Sequence, residues 1–61
     1  MKPRCKLIGE NGNIFNLLSI ASQTLGHIGL PDQSKEMAKR VMLSGSYNEA
    51  LAIIGEYVEV E

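Results

Sequence analysis

The sequence predicts a mainly α fold, in which three short helices form one domain and the N- and C-terminal segments pair as a two-stranded ribbon. Three observations lead to this prediction. Apolar residues recur at helical spacing in three stretches, turn-forming residues separate those stretches, and polar and apolar residues alternate near both ends. The chain has 61 residues, of which 44% are hydrophobic and 21% charged, so residues 1–61 are expected to form a single small domain.

Residues 1–8 are predicted to form the first strand. Alternation along it places Cys5 and Leu7 on one face and Arg4, Lys6 and Ile8 on the other. The first face is apolar, and it is therefore expected to cover the helices.

A turn is predicted over residues 9–13, because the Asn11-Gly12 pair adopts positive φ at low cost. The same pair can centre a β-hairpin, but the residues that follow do not alternate. Asn13 is instead expected to be the N-cap of a helix that begins at Ile14.

The first helix is expected to run from Ile14 and to end near Gly29, a residue type favoured just beyond a helix C-terminus. Its predicted core-facing stripe comprises Ile14, Leu17, Leu18, Ala21, Leu25 and Ile28.

The second helix is predicted to start near Pro31 and Asp32, because proline suits the first turn and an acidic side chain suits the positive end of the helix dipole. Gly45 is expected to end it. Its apolar stripe comprises Met37, Ala38, Val41 and Met42.

The third helix has the clearest local signal, a capping box in which the Ser46 hydroxyl accepts from the N–H of Glu49 and the Glu49 carboxylate reaches back to the N-cap N–H. Gly55 either ends this helix or lies inside it. Its predicted stripe comprises Tyr47, Ala50, Leu51, Ile54 and Val58.

Residues 57–61 alternate again, with Val58 and Val60 predicted on one face and Glu59 and Glu61 on the other. These carboxylates complement the basic first strand, and we expect the two strands to pair antiparallel. Two unpaired tails are the alternative.

Catalytic, metal and cofactor chemistry is not predicted. Cys5 is the one cysteine, so an internal disulfide is excluded, and His27 is the one histidine, so neither a paired acid–base site nor a zinc site is indicated. Residues 14–30 are too short and too polar to span a bilayer. We therefore expect a cytoplasmic protein that is not an enzyme.

Three segments carry a resemblance to a known family. They are KLIGENGN at residues 6–13, followed by Phe15, SGSYNEAL at residues 44–51, and EYVEV at residues 56–60. Together they resemble small cytoplasmic proteins without known activity that are carried by phages, plasmids and conjugative elements of Gram-positive bacteria. Relatives often have Asp in place of Asn11, which keeps the turn. The resemblance implies an accessory role in a mobile element and assigns no functional residue.

A protein-interaction role is the predicted function. Four apolar residues fall outside the predicted core stripes, and small folds often gain stability by association. The expected surface, for an unknown protein partner or a homodimer, consists of Phe15, Ile20, Leu43 and Ile53.

Nucleic-acid binding through the second helix is the alternative, because Lys35, Lys39 and Arg40 lie on its wet side. The third helix offers no such contacts, since residues 41–61 contain four acidic residues and no basic one.

Overall fold

A computed structural model describes residues 2–61 of the chain. Its elements are β1 (Arg4–Cys5), α1 (Ile14–His27), α2 (Pro31–Met42), α3 (Tyr47–Tyr57) and β2 (Glu59–Val60). The predicted fold class is confirmed, because three helices form the body and the two terminal segments pair as a two-stranded sheet. Each strand is shorter than the sequence pattern suggested, and Met1, the first residue of the predicted first strand, lies outside the described residues.

Both ends of α1 are fixed by local hydrogen bonds. Asn13 is the N-cap, and its side chain accepts from the N–H of Phe15 at 2.9 Å. At the other end Gly29 has a φ of 81°, and the N–H of Leu30 donates to the carbonyl of Leu25 at 2.9 Å. This 6→1 hydrogen bond defines the Schellman motif at a helix C-terminus.

The capping of α3 differs in one detail from the prediction. The Ser46 hydroxyl accepts from the N–H of Glu49 at 3.1 Å, as expected. The Glu49 carboxylate, however, accepts from the N–H of Gly45 at 3.2 Å and so caps the residue before the N-cap. Gly55 lies inside the helix, which continues to Tyr57.

The terminal ribbon is parallel, and the antiparallel prediction is wrong. Arg4 pairs with Glu59 and Cys5 with Val60. The prediction assumed that the last strand continues in the direction of α3. Instead Val58 has an extended backbone, with φ −132° and ψ 152°, and the chain changes direction there. A parallel pair needs a long crossover between its strands, and the three helices provide it.

Main-chain hydrogen bonds beyond the paired residues lengthen the ribbon. The N–H of Glu59 donates to Pro3 at 2.7 Å, and that of Glu61 donates to Cys5 at 2.9 Å. The carbonyl of Glu61 accepts from the N–H of Leu7 at 2.7 Å and from that of Ile8 at 3.0 Å. The pairing thus reaches from residue 3 to residue 8.

The two faces of the ribbon are only partly as predicted. Cys5, Leu7 and Val58 are buried, but Val60 is 41% exposed. The expected ion pairs between the basic first strand and the acidic last one are missing, since Arg40–Glu56 is the one ion pair within residues 2–61.

The core lies between the three helices and the inner face of the ribbon. Its centre is formed by fully buried side chains, the largest being Leu25, Met37, Ile54 and Val58. The turn that leads from β1 to α1 places its positive φ at Gly9, at 91°, and not at the Asn11-Gly12 pair.

Candidate functional site

An open groove lies where the start of α1, the end of α2 and the start of α3 meet. Its volume is about 350 Å³. The residues that line it are Ile14, Phe15, Val41, Met42, Ser44, Gly45, Ser46, Tyr47 and Ala50. Most of these contribute carbon atoms, so the recess is mainly apolar.

Loop contacts hold the walls of the groove in place. The Tyr47 hydroxyl donates to the carbonyl of Gly12 at 2.6 Å, which ties the first turn of α3 to the loop before α1. In that loop the Asn11 side chain accepts from the N–H of Asn13 at 2.9 Å, and the Asn16 amide donates to the Asn11 carbonyl at 2.9 Å. The groove is therefore braced by both neighbouring helices.

The floor and the rim of the groove differ in exposure. Val41 and Ala50 are buried and form part of the floor. On the rim, Phe15 is 61% exposed, Met42 64% and Tyr47 47%. Large side chains this exposed, side by side, are typical of an association surface rather than of scattered surface carbon.

Polar groups in the groove are already hydrogen-bonded within the chain. The Ser44 hydroxyl donates to the carbonyl of Val41 at 2.6 Å, and the Ser46 hydroxyl accepts from Glu49. The N–H of Gly45 donates to the same glutamate. Apart from Tyr47, no lining residue is titratable, so the groove is suited to binding apolar groups and not to acid–base chemistry.

The four residues predicted as a partner surface have different positions. Phe15 lies on the groove rim, and Leu43, which follows Met42 in the chain, is 78% exposed. Ile20 is partly buried against the core. Ile53 is buried, so its place in the predicted surface is wrong.

Ile53 is buried because the inner stripe of α3 is rotated relative to the predicted one. The buried residues of this helix are Ala50, Ile53, Ile54 and Tyr57. Their spacing of three, one and three residues is the ordinary pattern of a helix packed on one face. The predicted stripe instead included Leu51, which is only partly buried, and Tyr47, which is exposed.

Ile28, Met42 and Tyr47 were assigned to inner stripes, and the structure exposes all three. Ile28 is the C-cap of α1. Met42 is the last residue of α2 and Tyr47 the first of α3. The end of a helix can extend past the neighbouring helix on which its middle packs. Their place at helix ends is therefore the sequence signal that could have indicated their exposure. The exposed lining residues Phe15, Met42 and Tyr47 are hereafter called the groove face.

The basic residues of α2 do not form a free cluster of three. Arg40 donates to both carboxylate oxygens of Glu56, at 2.8 and 3.0 Å, and to the Tyr57 hydroxyl at 3.1 Å. Its guanidinium also lies 5.7 Å from the centre of the Tyr57 ring. Lys35 and Lys39 remain exposed.

This pair changes the titration of its acidic member. The hydrogen bond from Arg40, aided by its charge, lowers the pKa of Glu56, while partial desolvation acts in the opposite direction. The same contacts raise the pKa of Arg40. The Tyr57 hydroxyl in turn donates to Glu36 at 2.5 Å, so the network joins α2 to α3.

Cys5 and His27 lie in different environments. Cys5 is buried, with the Thr24 hydroxyl 3.5 Å from its sulfur, whereas His27 is exposed in the last turn of α1. Within residues 2–61 no three His, Cys, Asp or Glu side chains are grouped as metal ligands would be.

No protein-family model, curated protein or solved structure matches this chain. Over the described part, residues 2–61, none of the helices has the length and apolar character that crossing a membrane requires.

Proposed function

We propose that this protein is a non-enzymatic interaction module whose groove binds apolar side chains of a protein partner. The observation that carries the proposal is the recess of about 350 Å³ rimmed by the exposed side chains of Phe15, Met42 and Tyr47. Specific sites of this size commonly combine an apolar lining with few polar groups. The resemblance to mobile-element proteins suggests an accessory role in such an element.

Protein binding is better supported than nucleic-acid binding. Phosphate affinity comes from free Lys and Arg contacts, and Arg40 is engaged by Glu56 and Tyr57. Lys35 and Lys39 alone on α2 are an ordinary solvated helix face. The chain as a whole carries a net charge of −1.

Site-specific photo-crosslinking in Gram-positive bacterial cells tests the proposal. A photoreactive phenylalanine analogue replaces Phe15 in one version of the protein and Ile28, beyond the opposite end of α1, in the other. We expect discrete crosslinked protein products from position 15 and few from position 28. Ile28 is 52% exposed, so both probes reach solvent.

Competition establishes whether the products come from the groove. Excess untagged wild-type protein is expected to suppress the crosslinked products. Excess untagged Ile28→Lys variant is expected to suppress them equally. The Met42→Lys variant should compete poorly, because it places a charge on the groove rim. The two substitutions are matched, since each adds a positive charge at a helix C-terminus, where it suits the dipole. Equal products from both probe positions would contradict the proposal.

A further inference from the structure

We infer that the groove binds a second copy of this chain, in a two-fold dimer that buries the groove face. The inference rests on the proposed function and names its partner. In a two-fold contact the same patch of both subunits meets, so the patch must be complementary to itself. The groove face meets this requirement because it holds a projecting ring, Phe15, beside a recess floored by Val41 and Ala50.

The apolar area on the groove face is a large part of what a stable dimer needs. With about 200 Å² for a fully exposed large side chain, its three residues together present roughly 340 Å². A standard interface takes about 800 Å² from each partner, of which roughly two thirds is apolar in homodimers. The groove face therefore supplies roughly two thirds of the apolar area of such an interface, and the recess behind it, lined by Ile14, Val41 and Ala50, adds further apolar surface.

Charge around the groove also favours a second copy. Lys39 lies one helical turn before Met42 and Leu43 and is exposed on the same side of α2. The Glu49 carboxylate accepts from the N–H of Gly45, which lines the groove. A rim that carries both signs does not repel its own copy, and the net charge of −1 gives little long-range repulsion.

Small size adds a stability reason for association. A chain of 61 residues buries only about 60% of its unfolded surface, so folds of this length often depend on oligomerisation. Pairing across the groove face would bury the largest exposed side chains at the junction of the three helices. In the dimer, apolar side chains of the second copy would pack against the core at this junction.

Sedimentation equilibrium of the purified full chain, from micromolar to millimolar concentration, tests the inference. We expect a reversible monomer–dimer equilibrium. Met42→Lys and Phe15→Ala should each raise the dissociation constant at least about tenfold, while the matched Ile28→Lys control should leave it unchanged. Far-UV circular dichroism verifies that each variant is folded. The melting temperature of wild type should rise with protein concentration, and that of Met42→Lys should not.

Intermolecular NOEs in a mixed sample, half isotope-labelled and half unlabelled, locate the contact. Contacts between the Phe15 ring of one copy and the Met42 methyl group of the other are expected. A dimer whose contacts involve Ile28 or Val60 instead would overturn the inference.

A purely monomeric protein at millimolar concentration would also overturn the inference. If crosslinks from position 15 to a different protein persist, the proposed function survives that result. If position 15 yields no crosslinks to any protein, both fail.

Discussion

At the scale of single residues, Ser46 determines where α3 begins. Its hydroxyl satisfies the N–H of Glu49, one of the helix-end donors that has no partner within the helix. The same turn also positions Tyr47 on the groove rim. The cap therefore contributes both to helix stability and to the shape of the groove.

Removing this cap should destabilise the protein measurably. We predict that Ser46→Ala lowers the free energy of unfolding by about 1 kcal/mol, the usual cost of losing a serine N-cap. In a domain of this size the melting temperature should fall by roughly 4–8 °C. Ser19→Ala, an exposed position within α1, is the matched control and should cause no loss. Equal melting temperatures for the two variants would show that the cap contributes nothing.

A second residue-scale prediction concerns acid. The hydrogen bond from Arg40 lowers the pKa of Glu56 from its ordinary value of 4.5. A carboxylate with a lowered pKa in the folded state contributes stability above its unfolded pKa and loses it as pH falls through the folded one. The Arg40–Glu56 pair should therefore stabilise the protein at neutral pH and lose this effect as the pH falls below 4.5 and through the lower pKa of Glu56 in the folded state.

Thermal melting of wild type and Glu56→Gln at a series of pH values from neutral down to about pH 2 measures this contribution. We expect the variant to be less stable than wild type at neutral pH and the two to converge in acid. Glu59→Gln serves as the control, since Arg40–Glu56 is the one ion pair within residues 2–61. A constant difference between Glu56→Gln and wild type across this range would exclude the linkage.

At the scale of elements, the ribbon depends on Val58. This residue is fully buried and lies between the end of α3 and the start of β2. It fixes both the last turn of the helix and the position of the strand that follows. The core and the pairing of the termini are thus connected through one side chain.

Two variants separate core packing from strand pairing. Val58→Ala should cost about 1.5–3 kcal/mol, because it removes a fully buried apolar side chain. Deleting residues 59–61 leaves Val58 in place and removes the main-chain bonds to Pro3, Cys5 and Leu7. It should cost less than Val58→Ala, with the loss confined to the ribbon.

Hydrogen exchange measured by NMR reads the ribbon directly. The amides of Leu7, Glu59 and Glu61 should exchange slowly in the full chain, and that of Leu7 should exchange fast after the deletion. Fast exchange at all three positions in the intact protein would mean that the termini do not pair.

Features that depend on neighbouring residues, such as the helix ends, could be predicted from the sequence. Features that depend on contacts between distant residues could not. Asn13, Gly29 and Ser46 act through bonds to residues within a few positions, so their roles as caps could be inferred from the sequence alone. The direction of β2 depends on a turn at Val58 that no neighbouring residue specifies. For the same reason the inner face of the ribbon could not be assigned, and Val60 proved exposed.

The groove was predicted only in part. Phe15 was recognised because it falls outside the helical stripes. Met42 and Tyr47 match those stripes, and only the relative placement of the three helices shows that they extend beyond the core. Ile53 was misplaced by a modest rotation of α3, which a helical wheel cannot resolve when apolar residues fill more than half of it.

At the scale of the whole molecule, one compact core joins the three helices and β1. Leu25, Met37 and Ile54 are completely buried, and each comes from a different helix. Within residues 2–61 all buried apolar side chains belong to this one cluster. A cavity at the centre should therefore affect the entire fold.

We predict that Leu25→Ala largely unfolds the protein at room temperature. Truncating a buried leucine costs about 2–5 kcal/mol, which is comparable to the total of roughly 3–5 kcal/mol expected for a core of this size. Urea denaturation followed by circular dichroism measures the loss. Ile28→Ala, at an exposed position, is the control and should retain a transition close to that of wild type. A native-like midpoint for Leu25→Ala would show that other contacts sustain the fold.

The parallel direction of the ribbon also determines how the molecule would respond to force. The two strands point the same way, so the ladder has Lys2 beyond one end and Glu61 at the other. Tension applied between these two residues would slide one strand along the other and load the hydrogen bonds of the ladder together. An antiparallel ribbon would have placed both residues at one end, where the same tension breaks the bonds one after another. The parallel pairing thus makes the ribbon resist extension between these two residues, because its hydrogen bonds are loaded in shear.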